Sequence, residues 1–394
     1  MRPHPLRQPR VAGCRLPMAA LRNAGSWHHA PMPPTLDQLR RYAVARTLFK
    51  PTTLMRAIDK LGFVQADPIR APARAQDLTL RHRVVDYHAG DLERRYPRLP
   101  VEEDFFVNYG FLPREWQALM HPRQARMEWT PARWKQAQAV QAFIAERGAV
   151  HPREVDAHFA HGKTTNWFGG SSNASTQLLD GMHYRGLLRV ARRDGGTRVY
   201  AVRDIPLPVA ATEIDARMDA LIDLIVGKYA PLPDASLGQL VAHLGNGVPQ
   251  WKEARKPALA RARLRLQRAR VEGVDWVWPA DERADSRRWK PDAQVRLLTP
   301  FDPVVWDRRR FELFWGWAYR FEAYTPPAKR KLGYYALPLL WQDRVIGWGN
   351  LSVASGALNA QLHYVDGRAP SDAVFAEELE AELGRMRVFL GVGG

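Results

Sequence analysis

The 394-residue sequence predicts an α+β fold of tandem winged-helix (helix-turn-helix) units followed by a small C-terminal β-barrel. Three observations predict it. Short amphipathic helices recur in clusters through residues 35–292. The clusters run into β-rich pairs joined by turn residues, the arrangement of a recognition helix and its wing. From residue 293 the pattern changes to strand-like alternation around short turns and ends in one amphipathic helix.

The opening segment 1–34 has no period and no cap, carries five Arg and no acid, and is expected to be a disordered basic tail. "TLDQLRRYAVARTLF" then places Leu36, Leu39, Tyr42 and Ala43 on one helical face, and "TTLMRAIDKLG" adds Leu54, Ile58 and Leu61 before Gly62 as a stop. Asp67 followed by Pro68 reads as the cap and first position of a third helix, with Pro72 distorting its first turn. The first winged unit is 35–145. In the second, 146–210, Pro152 starts "HPREVDAHF", Asn173 caps "ASTQLLDGMHYRG" and Gly186 stops it. "LLRVA" and "TRVYAV" follow, joined by "RRDGG" with its Asp194 and Gly195 turn signal. The third unit, 211–292, repeats the order more weakly in "DASLGQLVAHLG", "KPALARARLRLQRARVEG" and "VDWVW"; residues 252–270 hold eight Lys or Arg against Glu253. A solvated face and a DNA-facing helix both fit such a run. In 293–394, "LGYYALPLLWQDRVIGWGNLSVA" and "LNAQLHYVD" supply barrel strands, and "SDAVFAEELEAELGRMRVFLGV" a helix to pack on them.

Composition narrows the function. Hydrophobic residues at 46% and aromatics at 10% mark a globular chain, long enough for several units. Lys and Arg number 58 against 41 Asp and Glu, a net +17 that points to a polyanionic partner, nucleic acid first. A single cysteine, Cys14, excludes an internal disulfide or a cysteine metal cluster and suggests a reducing compartment, so a cytoplasmic, nucleoid-associated monomer is expected. No apolar run is long enough for a signal peptide core or a membrane span, so no membrane partner is expected. The twelve His show no HExxH or paired metal spacing and no Walker-type loop appears; no metal and no cofactor are expected.

The chemical signal lies in "GFVQADPIRAPARAQDLTLRHRV". If 63–67 is extended, Gln65 and Asp67 share a side and Ala66 turns inward, aiming an amide and a carboxylate at one point. A helix starting at Asp67 would favour its ionised form. Phosphates repel a carboxylate, so Asp67 suits a positive charge that appears only during reaction. Breaking an N-glycosidic bond develops an oxocarbenium-like sugar, which a carboxylate stabilises or for which it deprotonates a water held by a neighbouring amide. An N7-alkylated purine is already cationic and leaves neutral, so a second, protonated acid is dispensable. Asp before Pro is also a common helix cap, and the residues alone leave both roles open. Arg70, Arg74, Arg81 and Arg83 follow on the expected helix, and Arg192, Arg193 and Arg198 sit on the wing; all seven are candidate DNA contacts. Trp167, Asp302, Trp306 and Asp307 are further candidates with equally good core or turn roles.

"FVQADPIRAPARAQDLTLRHRV" and "LLTPFDPVVWDRRRFELFWGWAYRFEAYTPPAKRKLGYYALPLLWQDRVIGWGNL" together resemble the YcaQ/AlkZ group of bacterial DNA glycosylases that unhook interstrand crosslinks. The resemblance covers roughly residues 35–390. It implies tandem winged helices, a C-terminal β-barrel and a catalytic triplet of Gln, an apolar residue, and Gln or Asp. Here the triplet is Gln65, Ala66 and Asp67, the YcaQ-like variant. By that resemblance Asp67 is the general base or electrostatic stabiliser and Gln65 the water-positioning amide. The expected activity is a monofunctional DNA glycosylase that hydrolyses the N-glycosidic bond of N7-alkylated purines, crosslinks included, in double-stranded DNA. The alternative is a non-catalytic, regulatory winged-helix DNA-binding protein, which needs basic wings and has no use for converging Gln and Asp.

Overall fold

Capping chemistry decides where two of the helices begin. Thr35 accepts from the Gln38 N–H while the Gln38 side chain accepts from the Thr35 N–H, and helix Leu36–Thr47 starts there. At Pro152–Phe159 the His151 ring nitrogen accepts from the Arg153 N–H while the Glu154 side chain accepts from the His151 N–H. The computed structural model of the chain describes residues 33–160, 162–165, 171–204 and 209–393; the tail to residue 32, with Cys14, and Trp167 lie outside them.

Three segments share one order of helix, short strand, two helices and hairpin. In the first, Leu54–Leu61 leads to Val64–Gln65, Ala75–Leu80, Asp91–Arg95 and the hairpin Val101–Phe105 with Tyr109–Pro113. In the second, Pro131–Arg147 leads to Ala149–Val150, Pro152–Phe159, Ala174–Tyr184 and the hairpin Leu188–Asp194 with Thr197–Val202. The third runs from Ala211–Tyr229 through Leu232–Pro233, Asp234–His243 and Arg255–Arg265 to Gln267–Val271 and Val274–Trp278. In each, the short strand pairs antiparallel with the second hairpin strand, so the sheet order is first, third, second. Gly195 and Gly196 stand at φ +57 and +91, the two left-handed positions that a tight hairpin turn requires.

Two expectations are corrected. No helix starts at Asp67 and Pro68: residues 66–74 are irregular and the helix begins at Ala75. Pro72 disfavours the helical region for Ala71, and the prolines remove donors the first turn would use. The last segment is an open sheet instead of a closed barrel. Val295–Leu297, Leu337–Trp341, Arg344–Ala354 and Ala357–Tyr364 pair antiparallel in chain order, with the first and last as edges. Helix Ala373–Leu390 covers one edge: Glu382 accepts from the Leu297 N–H at 2.9 Å, and Arg385 donates to the Val295 carbonyl at 3.0 Å. A covered edge needs no closure.

The cores ignore the expected boundaries. One joins Leu54 and Phe111 to Val140 and Tyr200 and on to Leu337 and Phe389. Another joins Leu39, Phe63 and Leu112 to Ile222, Leu237 and Trp276. Part of the basic run of the third segment is engaged internally, since Arg261, Arg263 and Arg265 pair with Asp219, Asp234 and Asp223. Those arginines tie helix Arg255–Arg265 to its neighbours.

Candidate active site

Gln65 is placed by a close backbone approach. Strand Val64–Gln65 lies against Gly110 and Phe111, and a Cβ on Gly110 would sit 2.3 Å from the Val64 carbonyl oxygen. Only glycine permits that pairing. The Gln65 side chain is 4% exposed, and its Oε1 accepts from the Trp306 indole N–H at 2.9 Å. Asp67 follows where the chain leaves the strand, and its carboxylate accepts from the Ile69 N–H at 2.9 Å in a side-chain-capped turn. Burial raises the Asp67 carboxyl above its ordinary value, and the Ile69 bond opposes the rise. The expected lowering by a helix dipole has no helix to supply it.

Both residues open into one cleft of about 590 Å³. Its walls come from three parts of the chain. Arg74 and Gln76 flank Asp67; Arg193, Gly196 and Arg198 come from the hairpin of the second segment; Phe301, Phe321 and Tyr324 form an aromatic side. Phe105, Asn108 and Tyr109 complete it. The aromatic side is a ladder: Phe301 meets Phe321 edge-on at 5.1 Å, Phe321 meets Tyr324 at 5.9 Å, and Tyr324 stands 78% exposed at the rim. Burial first, and the Asp67 charge as well, raise the phenol of Tyr324, which lines the same cleft as Asp67.

Five of the seven candidate arginines lie on or near this surface or the wing. Arg70 is exposed and lines the adjoining grooves. Arg74 pairs with Glu93. Arg193 donates to both Glu103 oxygens, at 2.7 and 2.6 Å, and Arg198 lies 4.4 Å over the Tyr109 ring while donating to Asp180 at 2.9 Å. Arg192 stands off the cleft, half-exposed and paired with Asp194. Arg81 and Arg83 are corrections. Arg83 is 0% exposed, grips both oxygens of Asp302 at 2.7 and 3.0 Å, and donates to the Thr47 and Thr79 carbonyls. Arg81 pairs with buried Glu382. Neither is free for phosphate: both strap the first segment to the last from the turn that follows helix Ala75–Leu80, every residue of which is buried.

Asp302 and Asp307 have structural duties. Asp302 caps Pro303–Trp306, and Asp307 caps Arg308–Trp315. Sequence reasoning missed the aromatic ladder, the Trp306 bond to Gln65, and the acid that organises the hairpin. Glu103 is fully buried; burial pushes its carboxyl up, yet Arg193 and Arg198 hold it below the ordinary value. The signal was present in "VEEDFF", three acids inside an apolar strand of a basic chain. Its neighbours are matched too, Glu102 with Arg114, Arg189 and Arg203, Asp104 with His121 and Arg123.

A family model of the AlkZ-like DNA glycosylases matches residues 58–389. The chain therefore belongs to the AlkZ-like DNA glycosylase family, enzymes of DNA repair whose substrate is DNA. Among solved structures it is similar to Streptomyces sahachiroi DNA glycosylase AlkZ, with a TM-score of 0.60 and 15% identity, over 92% of this chain and 98% of that one. At that identity the likeness speaks to the mixed helix-and-strand fold.

Proposed function

We propose that this DNA glycosylase is monofunctional and hydrolyses the N-glycosidic bond of N7-alkylated purines, interstrand crosslinks included. The observation that carries the reading is that Gln65 and Asp67 share one cleft whose rim is basic on the hairpin side and aromatic on the other. In the reaction, water adds to the sugar C1′ while the C1′–N9 bond breaks. The bonding electrons neutralise the cationic N7-alkylpurine, which leaves without needing a proton. Asp67 takes the water's proton or stabilises the oxocarbenium, and its raised affinity for protons makes it the stronger base. No lysine lines the cleft among the described residues. Lys228, lowered to about 7 by burial and Arg83, is enclosed and donates to the Phe63 carbonyl, so it supplies no lyase nucleophile.

The repeated order of helix, strand, helices and hairpin supports three winged-helix units close to the expected 35–145, 146–210 and 211–292, with helix Pro131–Arg147 opening the second, and the final sheet a half-barrel at 293–394. Arg70, Arg74, Arg193 and Arg198 would follow the DNA backbone, as would the exposed Arg320, Lys329 and Lys331 on either side of Tyr324 in its loop. The protein acts as a monomer. Incubating it with duplexes carrying an N7-methylguanine or an N7-linked crosslink, and measuring free base and abasic sites, tests the proposal. Release of neither adduct rejects it; release of the monoadduct alone rejects the crosslink part.

A further inference from the structure

Trp306 lies 241 residues from Gln65 in sequence, yet its indole N–H meets Gln65 Oε1 at 2.9 Å. An indole nitrogen can only donate, so the atom facing it must be the amide oxygen. The usual ambiguity of amide orientation is thereby removed. We infer that Trp306 is a positioning residue that holds the Gln65 amide oxygen away from the reaction, so that Gln65 serves the cleft as a donor through its NH2 group.

Trp306 is itself held firmly. It ends the short helix Pro303–Trp306, whose cap Asp302 is locked by Arg83 inside the protein. Its ring packs 5.1 Å from Tyr229 and 6.3 Å from His243. At the other partner, no described residue accepts from Gln65 Nε2, and Gln65 lines the cleft beside Asp67. The site therefore pairs a donor with an acceptor. A water between them accepts from Gln65, donates a proton to Asp67, and keeps its second lone pair for the sugar carbon. Were the amide reversed, both side chains would accept, and each would compete for the water's hydrogens while neither fixed a lone pair. Orientation of this kind governs rate more than affinity.

This inference rests on the glycosylase reading, so its test has one arm that needs no turnover. In full-length protein with 15N-labelled indoles, the Trp306 N–H signal is assigned by its absence in Trp306→Phe. It should exchange with solvent about tenfold faster or more in Gln65→Ala than in the parent, as expected when a hydrogen bond worth roughly that factor is removed. Unchanged exchange would overturn the contact, and the inference with it. The second arm follows base release from N7-methylguanine duplex. Trp306→Phe, which keeps a ring and loses only the donor, should lower kcat about tenfold with KM unchanged, and should have no further effect in the Gln65→Ala background. Full kcat in Trp306→Phe, or additive losses in the double variant, would overturn the positioning role. Faster exchange with no base release from the parent would reject the N7-alkylpurine reading while retaining the contact.

Discussion

At the scale of single residues, Asp67 combines two facts that a helix cap does not need: it is half-buried, and it opens onto a cleft. Burial raises its carboxyl above the ordinary 3.8. A base works only when ionised, so base release should be full above the raised value and fall as pH drops through it. The acid limb of kcat/KM is expected above 3.8, and it should vanish in Asp67→Asn, which leaves only a residual, pH-independent rate reduced by about 10³. A limb that persists unchanged in Asp67→Asn assigns the titration to another group. Asparagine still accepts from the Ile69 N–H, so folding and DNA affinity should be retained. Part of this pair was legible in the sequence, because residues two apart in an extended stretch reach the same side, although the strand ends at Gln65 and Asp67 stands in the turn just beyond it. The Trp306 contact was not legible: nothing local links positions 65 and 306, and only the tertiary fold brings them together. The direction in which the Asp67 carboxyl is shifted was misread for the same reason, since it depends on burial and on a helix that two prolines displace to Ala75.

At the scale of elements, sequence position proved a poor guide to what an arginine does. Arg81 and Arg83 follow the site in the chain yet face inward, and Arg193 and Arg198, on a distant hairpin, reach the cleft. Removing one member of a buried pair leaves the other charge uncompensated. Arg83→Ala should therefore cost about 3–5 kcal/mol of stability, seen as a large fall in Tm, while exposed Arg70→Ala leaves Tm unchanged and weakens DNA binding. The reverse pattern would return Arg83 to the DNA surface. The aromatic ladder makes a second prediction. Tyr324 is solvent-exposed in a basic setting, and stacking of a base on such a ring is worth about 1–3 kcal/mol. Tyr324→Ala should weaken binding to lesion-bearing DNA by roughly tenfold and Tyr324→Phe much less. Equal affinities for all three proteins would show that the ring stacks on nothing. The helices and hairpins themselves were readable from periodicity and turn residues; the open final sheet was not, because closure depends on edge pairing, which alternation along a strand does not encode.

At the scale of the whole molecule, the charge of +17 overstates what DNA can meet. Many arginines answer acids of this same chain: Glu102, Glu103 and Asp104 absorb those around the second segment, and Asp219, Asp223 and Asp234 those of helix Arg255–Arg265. The unpaired basic surface beside the cleft comprises Arg70 and the exposed cations of the loop near Tyr324, with Arg74, Arg193 and Arg198 lining the cleft but sharing their charge with Glu93, Glu103 and Asp180. Each phosphate neutralised releases counterions and contributes about −0.9 to the slope of log K against log salt. Between four and six such contacts predict a slope of about −4 to −5, far shallower than the net charge suggests. Arg70→Ala should make the slope shallower by about 0.9 and weaken all duplexes alike, because a phosphate contact positions without reading sequence. Arg263→Ala should leave the slope where it was, since that guanidinium is bound to both oxygens of Asp234 at 2.8 and 2.6 Å. A slope near zero would mean that the cleft does not track the backbone; a slope steepened well beyond −5 would mean that the internally paired arginines open to DNA on binding.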